Sequence, residues 1–321
     1  VTLDTRLFFR RLALFIALLV VPFGVLESVS RRIYADDTRL PAQKAHFEAA
    51  GVERAETLVL GMSYLWRGVN PEHLERPAYN LAFSHQDFYY SWRLFERYLP
   101  RMTALRVLVL GMDINTAAYS AENTHLIPKY YSASYGFWPS RGMDLQFLFT
   151  NSMFWVMRES FVGDVLSGRR AQVRPVETVS RLGERQDSGP LLISGYEYSE
   201  DVEAPRQAPW YSQQQFFESR VARQNLEYFD RIAALARTRG VTIVLLTPPW
   251  DMARTPRPEE TQKFHDWVRR TVVAGRDHVV FADHTNTGDF SQAMFSDGYH
   301  LNYEGATLLT KRLQHDLEAL Q

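Results

Sequence analysis

The 321-residue chain contains no cysteine. That absence removes disulfides, thiolate metal ligands and cysteine nucleophiles together. An excess of one charge is missing too: 36 basic side chains stand against 37 acidic ones. Such a balance gives no electrostatic footprint for nucleic acid, so no nucleic-acid partner is expected. Repeats and low-complexity tracts are also lacking. What is present is ordinary globular material, 45% hydrophobic and 23% charged, in a length that can bury one large core or two small ones.

One stretch is unlike the rest. Arg6, Arg10 and Arg11 precede an apolar run over residues 12–26, which stops at Glu27 and is followed by Arg31 and Arg32. A membrane-spanning helix needs roughly 20 apolar residues. Leu7, Phe8 and Phe9 lengthen this run if the arginines snorkel. Three readings compete: a signal anchor, a cleaved signal peptide ending near Ser28-Val29-Ser30, and a buried helix of the globular domain. The anchor leads, because no convincing small-x-small cleavage site follows. Basic residues on its N-terminal flank place the bulk of the chain outside the cytoplasm. The expectation is therefore a single anchor in the inner (cytoplasmic) membrane over residues 1–35, with residues 36–321 forming a domain in the periplasm or outside the cell.

Within that domain, short apolar runs alternate with segments of helical spacing. Residues 57–61, 79–83, 105–111, 241–247 and 278–282 read as strands, and 87–99, 214–239, 258–274 and 305–320 as helices. Continuously apolar strands in β, α, β alternation imply an α/β fold: a doubly wound, parallel, five-stranded sheet with helices on both faces. Residues 117–210 break the pattern and read as a long insertion after the third strand, helical around 145–166.

In such a sheet, ligands bind outside the carboxyl ends of the strands. Every polar candidate falls there. Ser63 follows the first strand, Asn80 and Ser84 close the second, Asp113 and Asn115 follow the third, Trp250 and Asp251 the fourth, and Asp297 and His300 the fifth. Ser63 as nucleophile, His300 as base and Asp297 as its orienting carboxylate would form a split triad. Read alone, Asp297-x-x-His300 is equally a solvated loop. His85, Asp87 and His125 could line the cleft or be plain cap and loop residues. His284 with Asp113 and His300 offers a hydrolytic metal site as an alternative, although no ligand pair has tight helical spacing. Arg67 could hold an anionic group or sit in a supporting role. Tyr131 and Trp138 lie in an aromatic-rich stretch that either stacks on a sugar or packs on the domain.

These positions resemble the SGNH (GDSL-like) hydrolase superfamily, whose members carry a serine after the first strand of a flavodoxin-like sheet and Asp-x-x-His before the last helix. Ser63, Asp297 and His300 match. The first block departs from Gly-Asp-Ser, reading Gly61-Met62-Ser63, the second has no glycine between Asn80 and Ser84, and the third has its acid and amide displaced to Asp113 and Asn115. Gly61-x-Ser63, Arg67-Gly68-Val69-Asn70-Pro71 and Asn80-Leu81-Ala82 are closer to a membrane-anchored subset, similar to the alginate and cellulose acetylation proteins and the D-alanyl transfer protein of teichoic acids. The resemblance implies acyl transfer to, or ester hydrolysis on, a surface glycan through an acyl-enzyme. It implies no cofactor and a membrane-bound O-acyltransferase as partner. Oxyanion or cleft roles would fall to Ser84, Asn80, Asp113, Asn115 and Arg67, and acceptor binding to Tyr131 and Trp138. The altered blocks keep a second description open: an inactive glycan-binding or scaffold subunit of a polysaccharide-modification complex.

Overall fold

The computed structural model describes residues 3–34, 40–123, 127–139, 152–168, 192–193, 196–197, 219–250, 258–286, 288–297 and 299–320. In chain order the α-helices are α1 (Leu3–Tyr34), α2 (Leu40–His46), α3 (Ser63–Gly68), α4 (Phe88–Tyr98), α5 (Ile114–Ala118), α6 (Ile127–Tyr135), α7 (Met153–Leu166), α8 (Arg220–Thr238), α9 (Pro258–Trp267) and α10 (Tyr303–Glu318). The strands are β1 (Thr57–Leu60), β2 (Ala78–Asn80), β3 (Val107–Gly111), β4 (Leu192–Ile193), β5 (Tyr196–Glu197), β6 (Thr242–Thr247) and β7 (Val279–Asp283). Two compact units emerge: Val1–Pro41 with Thr124–Arg174, and Ala42–Asn123 with Pro175–Gln321. Residues 124–174, expected as part of an insertion into the α/β domain, therefore cluster with the N-terminal segment.

In the first unit α1 is long and apolar enough to cross a membrane, with a mean hydropathy of 2.4 over its best window and its apolar side chains exposed. Near its end α1 packs on α7, where Leu26, Val29, Tyr130 and Phe154 surround Ile33 and Phe161. Glu27 is tied down there by Arg31 (2.7 Å), by the Ser152 hydroxyl (2.7 Å) and by the Phe154 amide (3.2 Å). The buried ammonium of Lys129 on α6 is pushed down to about 8 by desolvation, against the pull of Glu27. Residues 130–138, read from sequence as an aromatic loop, are mostly helix: Tyr131 and Tyr135 stack at helical i, i+4 spacing.

The second unit holds a five-stranded, all-parallel sheet in the order β2-β1-β3-β6-β7. It is the doubly wound α/β fold that the alternating apolar runs imply. All four residues of β1 are buried, as a strand covered on both faces requires. Helices α4 and α8 pack on each other, as do α3 and α10. Chain order reverses between β1 and β3, and that switch point opens the crevice where such sheets bind ligands. Strand β2 is shorter than its apolar pattern suggests, ending at Asn80. The Leu81 and Phe83 amides nevertheless keep bonding Val59 O (2.9 Å) and Gly61 O (3.0 Å), so the chain beyond β2 stays against β1.

Asp87 caps α4, its carboxylate accepting from Tyr90 N (3.1 Å) and from Ala121 N (2.8 Å) in the loop after α5. Burial pushes this carboxyl up to about 7 despite those amides. The folded protein then holds a proton that the unfolded chain, at about 3.9, has released. Stability from this group is present below about pH 4 and lost as pH rises to about 7. Across that window wild type should lose up to about 4 kcal/mol relative to Asp87→Asn, which cannot ionise. Urea unfolding of both proteins at pH 4.5 and pH 7.5 (about those values) checks this; parallel pH dependences would contradict it.

Candidate active site

The apolar run of β1 ends at Gly61, whose φ of 144° lies in a region side-chain-bearing residues rarely adopt. A Cβ at Gly61 would also press on Leu65 Cδ1 at 3.0 Å and Gly111 N at 3.2 Å. This turn delivers Ser63 to the first position of α3. The N–H groups of a first helical turn have no intrahelical partner, so the Ser63 amide is a candidate donor to a developing oxyanion.

From the other end of the chain, a tight loop presents the histidine. Phe295 and Leu301 form an antiparallel bridge, and Ser296 N donates to His300 O at 2.8 Å. Inside the loop Asp297 Oδ1 accepts from Tyr299 N (2.9 Å) and His300 N (2.7 Å), while Oδ2 faces His300 Nδ1 at 2.6 Å. His300 Nε2 lies 2.7 Å from Ser63 Oγ. The structure thus joins three residues, with 237 positions separating Ser63 from His300, in one hydrogen-bonded chain. Asp297 and His300 are buried and Ser63 is half-buried. Burial alone would raise the Asp297 carboxyl. The His300 hydrogen bond and charge, with the two loop amides, outweigh it and hold the group below the ordinary carboxylate value.

Other candidates turn out to be committed elsewhere. Asn80 is fully buried, and its amide donates to Leu65 O (2.9 Å) and Val69 O (2.8 Å) while Oδ1 accepts from Ala82 N (2.9 Å). It ties down the carbonyls of α3 and has no donor left for an oxyanion. Asp113 is likewise a helix cap. Its Oδ1 accepts from Asn115 N (2.8 Å) and Thr116 N (3.0 Å), and its Oδ2 from the Thr116 hydroxyl (2.8 Å). Tyr64 completes that network by donating to Thr116 Oγ1 at 2.8 Å. A Cβ at position 111 would collide with the Tyr64 hydroxyl, so Gly111 makes room for the clamp between α3 and α5. Burial, then the charge of Asp113, raises the Tyr64 phenol well above its ordinary value, and it stays neutral.

Asn115 and Ser84 remain as cleft candidates. Asn115 Oδ1 is buried without a hydrogen-bond partner among the described residues. Rotating that amide exchanges Oδ1 for Nδ2, an assignment that shape alone does not fix. Ser84 is half-exposed in the turn after β2. Arg67 is half-exposed one helical turn from Ser63, on the same side of α3. His284 bonds Asp316 at 2.8 Å, so the suggested trio of His284, Asp113 and His300 is spent on three separate contacts. Tyr131 is wholly buried against Tyr135 and offers no ring face to a sugar, whereas Trp138 is exposed. Trp250 is buried at the end of β6, and His125 and Asp251 lie outside the described residues.

Sequence reasoning missed the Tyr64-Thr116 clamp, for which no one-dimensional signal exists. It could have found the Asp113 cap, since an aspartate directly before an apolar helical turn is a helix-start signature.

No protein-family model matches the chain, and no curated protein sequence matches it. Among solved structures it is similar to a candidate acylhydrolase of Bacteroides fragilis, at 13% identity and a TM-score of 0.41, over 87% of this chain and 97% of that one. It is also similar to a candidate platelet activating factor protein from Streptococcus pneumonia, at 13% identity and a TM-score of 0.40, over 96% of this chain and 98% of that one.

Proposed function

We propose that this chain is a serine-dependent acyltransferase or esterase acting on a cell-surface glycan, with α1 as its membrane anchor. The observation that carries the reading is the continuous Ser63-His300-Asp297 hydrogen-bond chain at the carboxyl edge of the sheet. Ser63 Oγ attacks an acyl carbonyl while His300 Nε2 takes its proton; Asp297 holds the ring through Nδ1 and stabilises the imidazolium. Collapse of the tetrahedral intermediate expels the donor's leaving group, which receives the proton from His300. An ester on Ser63 remains. A sugar hydroxyl or water then attacks that ester, with His300 again accepting the proton, and Ser63 is regenerated. The Ser63 amide and Asn115 are the donors best placed by their elements to meet the oxyanion.

An activated fluorophosphonate should label the native protein at Ser63, read by peptide mass spectrometry, and should not label heat-denatured protein. Absence of native labelling would leave the glycan-binding scaffold as the better description.

The surface substrate requires the second unit to lie outside the cytoplasm, with Arg10 and Arg11 on the cytoplasmic side of α1. Alkaline phosphatase fused after Gln321 should then be active in cells, and a reporter that matures only in the cytoplasm should be silent. The reverse pattern would contradict both the orientation and the glycan substrate.

A further inference from the structure

His85 is the sole non-glycine residue with a positive φ among the described residues, at 59°. Left-handed backbone at such a residue is uncommon and persists only where the surroundings enforce it. Here they do, from both sides. The chain leading to His85 is fixed by the Phe83 amide on Gly61 O (3.0 Å), by Gln43 Nε2 on Ala82 O (3.1 Å) and by Phe83 packed on Trp66 of α3. After it, Asp87 bonds Ala121 N across to the loop that carries Tyr119. That loop is held in turn by Asn225 Nδ2 on Tyr119 O (2.7 Å) and Ala117 O (3.1 Å). Two rigid loops therefore meet at one hydrogen bond, Tyr119 Oη to His85 Nδ1 at 2.9 Å, with the rings 5.6 Å apart.

The arrangement orients an imidazole and leaves its outer nitrogen free. The phenol is the better acid of the pair, so Tyr119 donates to Nδ1 and Nε2 carries the hydrogen. His85 is open to solvent, and among the described residues its Nε2 makes no hydrogen bond. It also stands near enough to His300 to feel its charge. Partial burial first, and His300 second, hold His85 below the ordinary histidine value, which keeps it neutral at neutral pH.

Position decides what such a donor meets. A base that serves first the leaving group and then the acceptor stands on the side of the acyl carbon where both bind, away from the oxyanion donors. A group beside His300 shares that side. We propose that His85, oriented by Tyr119, is a substrate-binding residue that donates a hydrogen bond to an oxygen of the acyl acceptor. The inference rests on the acyl-enzyme reading above and extends it to the second half-reaction, in which an oriented hydroxyl outcompetes water for the Ser63 ester.

The test uses the full chain, p-nitrophenyl acetate as donor and glycerol as a hydroxyl acceptor. The burst of p-nitrophenol reports acylation, and the ratio of glycerol ester to acetate reports partition of the acyl-enzyme. His85→Asn and His85→Gly both accept left-handed backbone, so they should fold and leave the burst unchanged. The ester-to-acetate ratio should fall about tenfold in each, as expected for one lost hydrogen bond. Tyr119→Phe should lower it about threefold, because the imidazole stays but loses its orientation. Unchanged ratios in the His85 variants, or a wild type that gives a burst but no glycerol ester, would overturn the proposal while leaving the serine chemistry standing. A burst that falls with the ratio would make His85 a structural residue of the loop. Absence of any burst in wild type would remove the acyl-enzyme reading and this inference with it.

Discussion

Replacing Ser63 by alanine should lower turnover of an activated ester by about 10⁶-fold, down to what bare binding and oxyanion donors supply. The size of the loss follows from the covalent step. Without Oγ there is no nucleophile for His300 to activate and no acyl-enzyme to divide one difficult step into two. Stability should barely change. Ser63 is half-buried at a helix start, its backbone is the ordinary first turn of α3, and its hydroxyl bonds His300, which stays held by Asp297. Substitutions of this kind alter stability by about 0.5 kcal/mol or less. Urea unfolding and ester hydrolysis on the same preparation separate the two effects. A purified Ser63→Ala protein with a rate within about tenfold of wild type would end the serine assignment, since a tenfold change is only about 1.4 kcal/mol of barrier.

Serine and histidine were legible in the sequence only through the sheet. Nothing local connects Gly61-Met62-Ser63 with Asp297-x-x-His300. What connects them is that β1, β3, β6 and β7 are apolar runs with breakers, so their carboxyl ends can be located by reading. The edge rule then gathers the polar residues that follow. The same rule misplaced Asn80 and Asp113, because position at an edge does not reveal which way a side chain turns. Both face inward and satisfy backbone groups, Asn80 the carbonyls of α3 and Asp113 the amides of α5. A short helix start leaves amides that some side chain must satisfy, and asparagine and aspartate are the residues suited to that work as well as to catalysis. Tyr131 was misread for another reason. Lys129 to Tyr135 mixes rings with serine and alanine, which resembles a loop by composition, yet Tyr131 and Tyr135 have helical spacing and stack inside their unit. The left-handed backbone of His85 has no sequence signal, since histidine adopts it only when tertiary contacts require it.

Converting Asp297 to asparagine should cost about 10⁴-fold in kcat, less than His300→Ala, which should approach the Ser63→Ala loss. Asparagine is nearly isosteric, so its Oδ1 can still accept from Tyr299 N and His300 N and the loop can keep its shape. At the other oxygen the chemistry inverts. Oδ2 now accepts the hydrogen of His300 Nδ1 at 2.6 Å, whereas an amide nitrogen there can only donate. His300 then turns Nδ1 into the acceptor and moves its hydrogen to Nε2, which faces Ser63 Oγ and can no longer take the serine proton. Acid stability should change as well. The folded Asp297 carboxyl lies below its ordinary value, so its contribution is present above about pH 4 and lost as pH falls through the folded value. The asparagine variant lacks that acid-side loss. The two readouts separate two roles. A shallower acid unfolding profile with a rate near wild type would make Asp297 a brace of the 295–301 loop alone. A large rate loss with the loop intact, seen as an undiminished melting temperature at neutral pH, is the result expected of a carboxylate that fixes the tautomer of the base.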